Sequence, residues 1–217
     1  MLVSSRTPQR DRRSPRPAAS LGAVTGALLL VATAACSTEP PPEQPATEPT
    51  AESTPLADYD TSAVAIVRSD FCDRVSDDAI IAAIGDDASD KQAWQPGERL
   101  PDNRDIGNEF GCAWTAGPVT ARGWVFAPPI TPERADDLAS EVVGLTCKPL
   151  RSAAPLGDPG VAQNCVLNTG ARLVGFYGLI GDAWVSCEIS GLTGTAPGAG
   201  DLVGEWCVAV LEALRTA

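Results

Sequence analysis

The sequence predicts an α+β domain, an antiparallel sheet of about five strands in α-ββ-α-βββ-α order with helices on one face and disulfides as staples. Three observations carry this. Short runs after residue 109 alternate apolar and polar residues and are separated by Gly, Pro, Asn and Asp, which is strand-and-turn chemistry. Three other segments begin with a helix-capping residue or a glycine-rich turn and continue with an apolar stripe. Six cysteines are spread from residue 72 to residue 207.

Residues 1–35 read as an export signal. Arg6, Arg10, Arg12, Arg13 and Arg16 form a basic leader, an apolar run follows from Ser20, and the small residues Thr33, Ala34 and Ala35 precede Cys36. That ending resembles a bacterial lipoprotein signal, so Cys36 is the expected site of acylation and the first residue of the mature chain. Two other readings stand beside it. A plain secretory signal fits Thr33, which occupies a position where lipoprotein signals usually carry Leu, Val or Ile. A membrane helix is the second, although residues 21–35 fall short of the ~20 apolar residues that a bilayer core requires.

Residues 36–60 comprise that cysteine and a stretch rich in Pro, Glu and Thr, too polar to offset the entropy of ordering, and so read as a disordered tether. Extended at ~3.1 Å per residue, it would reach on the order of 70 Å from the membrane. Residues 61–217 read as one domain. In its first helix Ser76 is the N-cap, Asp77 and Asp78 fill the first turn, Ile80, Ile81 and Ile84 form the stripe, and Gly85 is the stop. Residues 86–108 show no sustained period and read as a long acidic loop anchored by Trp94.

Residues 110–115 and 120–127 are expected as a hairpin across Gly117-Pro118, with Trp124 and Phe126 on the face of Arg122 and Thr120. Thr131 and Pro132 open a second helix whose Ala135, Leu138, Val142 and Val143 face inward. Residues 162–167, 172–179 and 183–189 read as a three-stranded meander. The last helix, 201–214, carries Val203, Trp206, Cys207, Val210, Leu211 and Leu214 at helical spacing. Cys112 and Cys165 are each followed at plus five by a turn glycine and then by an aromatic strand, an echo that suggests two helix-hairpin units.

With Cys36 acylated, Cys72, Cys112, Cys147, Cys165, Cys187 and Cys207 remain, an even number with 15 possible pairings in an exported chain. If each unit is stapled to itself, the expected bonds are Cys72–Cys112 and Cys147–Cys165. Cys187 and Cys207 then form the third, both pointing into one helix–sheet interface.

Composition excludes more than it assigns. Beyond the leader the chain holds 11 basic and 27 acidic residues, a net charge of −16, and no basic run, which argues against a nucleic-acid partner. It contains no His, which removes Ser-His-Asp and Cys-His chemistry and most zinc sites. No nucleotide-binding glycine motif is present, and no cofactor is expected. Asp86, Asp87 and Asp90, or Asp102, Asp105 and Glu109, lack the oxygen spacing of a calcium loop. Neither a metal nor a catalytic residue is expected. Trp114, Trp124, Phe126, Trp184 and Trp206 fall on core stripes rather than marking a ligand groove.

The order of Cys36, a Pro/Thr-rich tether, Cys72 before a short capped helix, and Gly111-Cys112-Ala113-Trp114 before a hairpin resembles small actinobacterial lipoproteins of unknown function. It is more distantly similar to the disulfide-bonded extracellular sensor domains of actinobacterial Ser/Thr kinases. The resemblance implies a non-enzymatic module on the outer face of the cytoplasmic membrane, held by the lipid on Cys36, extending into the wall and binding an envelope ligand or partner protein. The alternative is a carboxylate-dependent hydrolase acting on cell-wall polymer.

Overall fold

A computed structural model describes residues 53–101, 105–143, 147–193 and 198–216. Cys36 and Asp102 lie outside these residues, as does the tether up to residue 52.

The described chain is α+β, with three α-helices and one antiparallel sheet of seven strands. The strands are β1 (Asp90–Trp94), β2 (Glu109–Ala116), β3 (Val119–Phe126), β4 (Cys147–Pro149), β5 (Gly160–Val166), β6 (Arg172–Ile180) and β7 (Ala183–Leu192). They lie in the order β1-β2-β3-β7-β6-β5-β4. The helices are α1 (Asp77–Ile84), α2 (Pro132–Val142) and α3 (Ala199–Leu214).

Two strands exceed the expected five, and both lie at sheet edges. β1 occupies part of the stretch read as a loop; four of its five residues are exposed and only Trp94 is buried, so it has no hydrophobic alternation to read. Trp94 pairs with Gly111, and a Cβ at Gly111 would lie 2.2 Å from the indole; this absence of a side chain lets the ring lie on β2. β4 is three residues long and ends in Pro149.

The expectation of helices on one face is corrected. α1 and α3 share one face with Cys112, Trp114, Val125, Phe176, Val185, Cys187 and Ile189, the principal core. α2 covers part of the other, setting Ala135 and Leu138 with Tyr177, Leu179 and Trp184, against which Trp124 and Phe126 also pack. The physical reason lies in Trp124 and Phe126 of β3, Tyr177 and Leu179 of β6 and Trp184 of β7, large residues on the face away from α1 and α3 that need a cover of their own.

α1 has the bounds and the Ser76 cap read from the sequence, with the Ser76 hydroxyl accepting from the Ala79 N–H. Thr131 caps α2 in the same way. All six expected stripe residues of α3 are buried, and the Trp206 indole N–H donates to the Arg122 carbonyl at 2.8 Å.

The folded part begins earlier than residue 61. Leu56 and Tyr59, assigned to the tether, pack against the core, and Tyr59 Oη donates to Glu212 on α3 at 2.6 Å. Farther along, Ile66 bridges Arg215, and Val67 N–H donates to the Leu214 carbonyl at 2.7 Å. The first and last described segments therefore lie side by side.

Candidate functional site

The structure joins Cys72 to Cys112, Cys147 to Cys165 and Cys187 to Cys207. Cys187 and Cys207 are fully buried and tie α3 to the sheet, whereas Cys147–Cys165 links the outermost strand to β5. Three disulfides point to an extracytoplasmic domain. Among the described residues no helix is long and apolar enough to cross a membrane. Asp70, Cys72 and Cys112 bring ligand-type atoms together, but both sulfurs are committed to the disulfide, which leaves a single carboxylate and no thiolate for a metal.

The Cys72–Cys112 bond also shapes a cleft. It draws the segment before α1 onto β2, with the Cys72 N–H held by the Asp70 carboxylate at 3.0 Å. After the helix the chain returns to the sheet, where Ser89 bonds the Thr115 carbonyl through both its N–H and its hydroxyl. Between these two attachments, α1 and β1 border a cleft of about 450 Å³. Its apolar lining is Cys72, Val75, Ile80, Ile81, Ala88 and Trp114, and the Trp114 ring meets Trp206 edge-on at 5.4 Å.

Charge is confined to the rim of the cleft. Asp73, Asp77 and Asp87 are exposed there with one cation, Lys91 of β1. Lys91 Nζ lies 2.6 Å from Asp73 Oδ1 and 6.0 Å from the centroid of the Trp114 ring. The hydrogen bond from Lys91, reinforced by its charge, holds the Asp73 carboxyl below its ordinary range.

On the opposite face a polar chain crosses four strands. Gln163 Nε2 donates to Tyr177 Oη at 3.3 Å, and that hydroxyl donates to Glu188 Oε2 at 3.0 Å. Arg122 lies 3.7 Å from Glu188 Oε1. Tyr177 reaches this position by leaning over Gly175, where a Cβ would lie 2.7 Å from its oxygen. Burial, then the Glu188 charge, pushes the Tyr177 phenol far above its usual range, so it stays a neutral donor. Each member serves another, which makes this a structural network.

A second depression of about 580 Å³ lies among Pro118, Leu167, Thr169, Ala171, Ser190 and Thr193, with no charged lining residue among those described. Of the acidic residues weighed as calcium ligands, Asp86, Asp87 and Asp90 do not converge: Asp87 is on the rim of the first cleft, Asp86 accepts from the Asp87 N–H, and Asp90 accepts from Gln92. Of the five aromatics, Trp184 and Trp206 are core, Trp124 and Phe126 are half-buried beside α2, and Trp114 is buried as the floor of the cleft. Sequence reasoning missed this cleft because Lys91 and Trp114 meet only through the β1–β2 pairing. No protein-family model matches the chain, and no curated protein matches it.

Proposed function

We propose that the chain is a lipid-anchored module of the cell envelope that binds a ligand or partner protein and carries out no reaction. The lipid on Cys36 fixes it to the outer face of the cytoplasmic membrane, and the tether holds the domain in the wall layer. The observation that carries the binding role is the α1–β1 cleft, an apolar floor with exposed charges on its rim and a size within the range of small-molecule sites.

The described carboxyls give the hydrolase reading no support. A glycosidase acid must hold its proton near neutral pH, which requires a raised pKa. The described carboxyls with a resolved shift, Asp60, Asp73, Glu133 and Asp182, are all shifted down.

The test uses full-length protein extracted from its own membranes. Intact-mass analysis should find Cys36 acylated, and the protein should co-sediment with isolated envelope while releasing no soluble fragment from purified wall polymer. Fragment release that disappears in Asp73→Asn would overturn the binding reading. An unmodified mature chain in the culture medium of wild-type cells would overturn the anchor.

A further inference from the structure

We propose that the α1–β1 cleft is the seat of a small organic monocation with an apolar body, an alkyl- or arylammonium ion, and that Lys91 occupies its cationic position in the free protein. This rests on the reading of the cleft as a binding site and adds the chemistry of the occupant.

The first argument is the position of Lys91. The protein itself places an ammonium against a carboxylate and near an indole face, the two partners a ligand cation would use. The contact is easily opened, because the Lys91 and Asp73 side chains are 40% and 93% exposed and such surface pairs contribute little to stability. Lys91 also extends from an edge strand, so its side chain can swing outward without disturbing a β-ladder on its free side.

The second argument is the apolar surface that an ammonium alone would not cover. Above the buried Val75 and Ile80 the rim carries the exposed Ala88 and Ile81, the latter 39% exposed and one of three exposed large apolar side chains among the described residues. A ligand with a hydrocarbon body removes that surface from water.

The third argument is sign. Three carboxylates and one ammonium surround the opening, a formal charge of −2 that becomes −3 toward the ligand when Lys91 leaves. An anion is repelled at this rim, a neutral ligand gains nothing from it, and a monocation gains from every member.

The probes are phenethylammonium, its neutral counterpart 2-phenylethanol and the anion 3-phenylpropionate. Each is titrated at pH 7 into the purified full-length chain by calorimetry and tryptophan fluorescence. Phenethylammonium should bind at one site, more tightly than the alcohol, with the anion weakest and with affinity falling as salt rises. Lys91→Ala should tighten phenethylammonium about 2- to 5-fold, the span of an exposed cation–π contact no longer contested by the lysine. Asp77→Asn with Asp87→Asn should weaken it. Circular dichroism and the disulfide peptide map establish that each variant is folded.

Equal binding of the amine and the alcohol would overturn the cation assignment and leave the cleft as a ligand seat. Failure of all three probes with both wild type and Lys91→Ala would overturn the cleft as a seat, whereas envelope co-sedimentation judges the binding role separately. A lysine-bearing peptide that binds more tightly than phenethylammonium would transfer the occupant to a partner protein and overturn the small-molecule assignment.

Discussion

The three disulfides differ in access, and the difference predicts an order of reduction. Of the six cysteines Cys147 alone is half-buried; Cys112, Cys187 and Cys207 have no exposed surface. Thiol–disulfide exchange requires a thiolate to reach a sulfur, so Cys147–Cys165 should open first under native conditions. Its loss leaves no hole in the principal core, since both residues lie away from the α1–α3 layer. The cost is then mainly the released chain entropy, about 3 kcal/mol for a separation of 18 residues. At a urea dependence of ~1–3 kcal/mol per molar, the unfolding midpoint should fall by roughly 1 to 3 M. Cys72–Cys112 spans 40 residues and is worth about 4 kcal/mol on the same reckoning, with a core defect in addition. The assay is brief dithiothreitol treatment, alkylation, peptide mapping and urea unfolding of the singly reduced species. Early labelling of Cys187 or Cys207, or an unchanged midpoint after Cys147 and Cys165 are labelled, would refute the reasoning.

Gly111→Ala places a methyl group inside the Trp94 ring position, so it should expel the indole, cost about 1–3 kcal/mol and red-shift the tryptophan emission. Trp206→Phe removes the hydrogen bond to the Arg122 carbonyl and the edge contact with Trp114, and should lower stability by about 1–3 kcal/mol in a denaturant titration. Both tyrosines have raised pKa values, Tyr59 to about 12 through burial and Glu212, and Tyr177 beyond that. Phenolate absorbance should therefore be missing from the native protein at pH 10. Because the folded state holds these protons more tightly, their stabilising contribution is complete below pH 10 and is lost as pH rises through the folded values, which alkaline denaturant titrations will register. Cys36→Ser should release the protein to the medium, scored by immunoblot of the cell and supernatant fractions.

The elements with a buried stripe were legible in the sequence. α1 and α3 carry cap or turn residues and apolar positions at helical spacing, and the central strands β3, β6 and β7 alternate or are continuously apolar. Cys187–Cys207 follows from the same patterns, because a strand face and a helix stripe fix where each sulfur points, whereas Cys72–Cys112 and Cys147–Cys165 follow from the repeated helix-hairpin echo. The edge strands were not legible. β1 buries one side chain of five, and its identity as a strand resides in backbone pairing with β2, which leaves no periodic trace. The placement of α2 depended on whether Trp124, Phe126 and Tyr177 needed a cover, a question settled only when β3, β7 and β6 are laid side by side. The cleft assembles Asp73, Ile80, Asp87, Lys91 and Trp114 from three separate elements and their flanks, and nothing in their spacing announces it.

The meeting of Ile66 with Arg215 has a practical consequence for rebuilding the molecule. A linker running back along α3 from residue 216 to Ser53, whose hydroxyl donates to Glu205, would join two segments that both lie on α3, and new ends could be opened at the exposed Gly181-Asp182 turn between β6 and β7. Such a circular permutant should retain all three bonds and the sheet order while moving the attachment point to a different corner of the domain. Displayed on cells in both orientations, the pair would report which surface must face outward for the proposed envelope ligand to be reached.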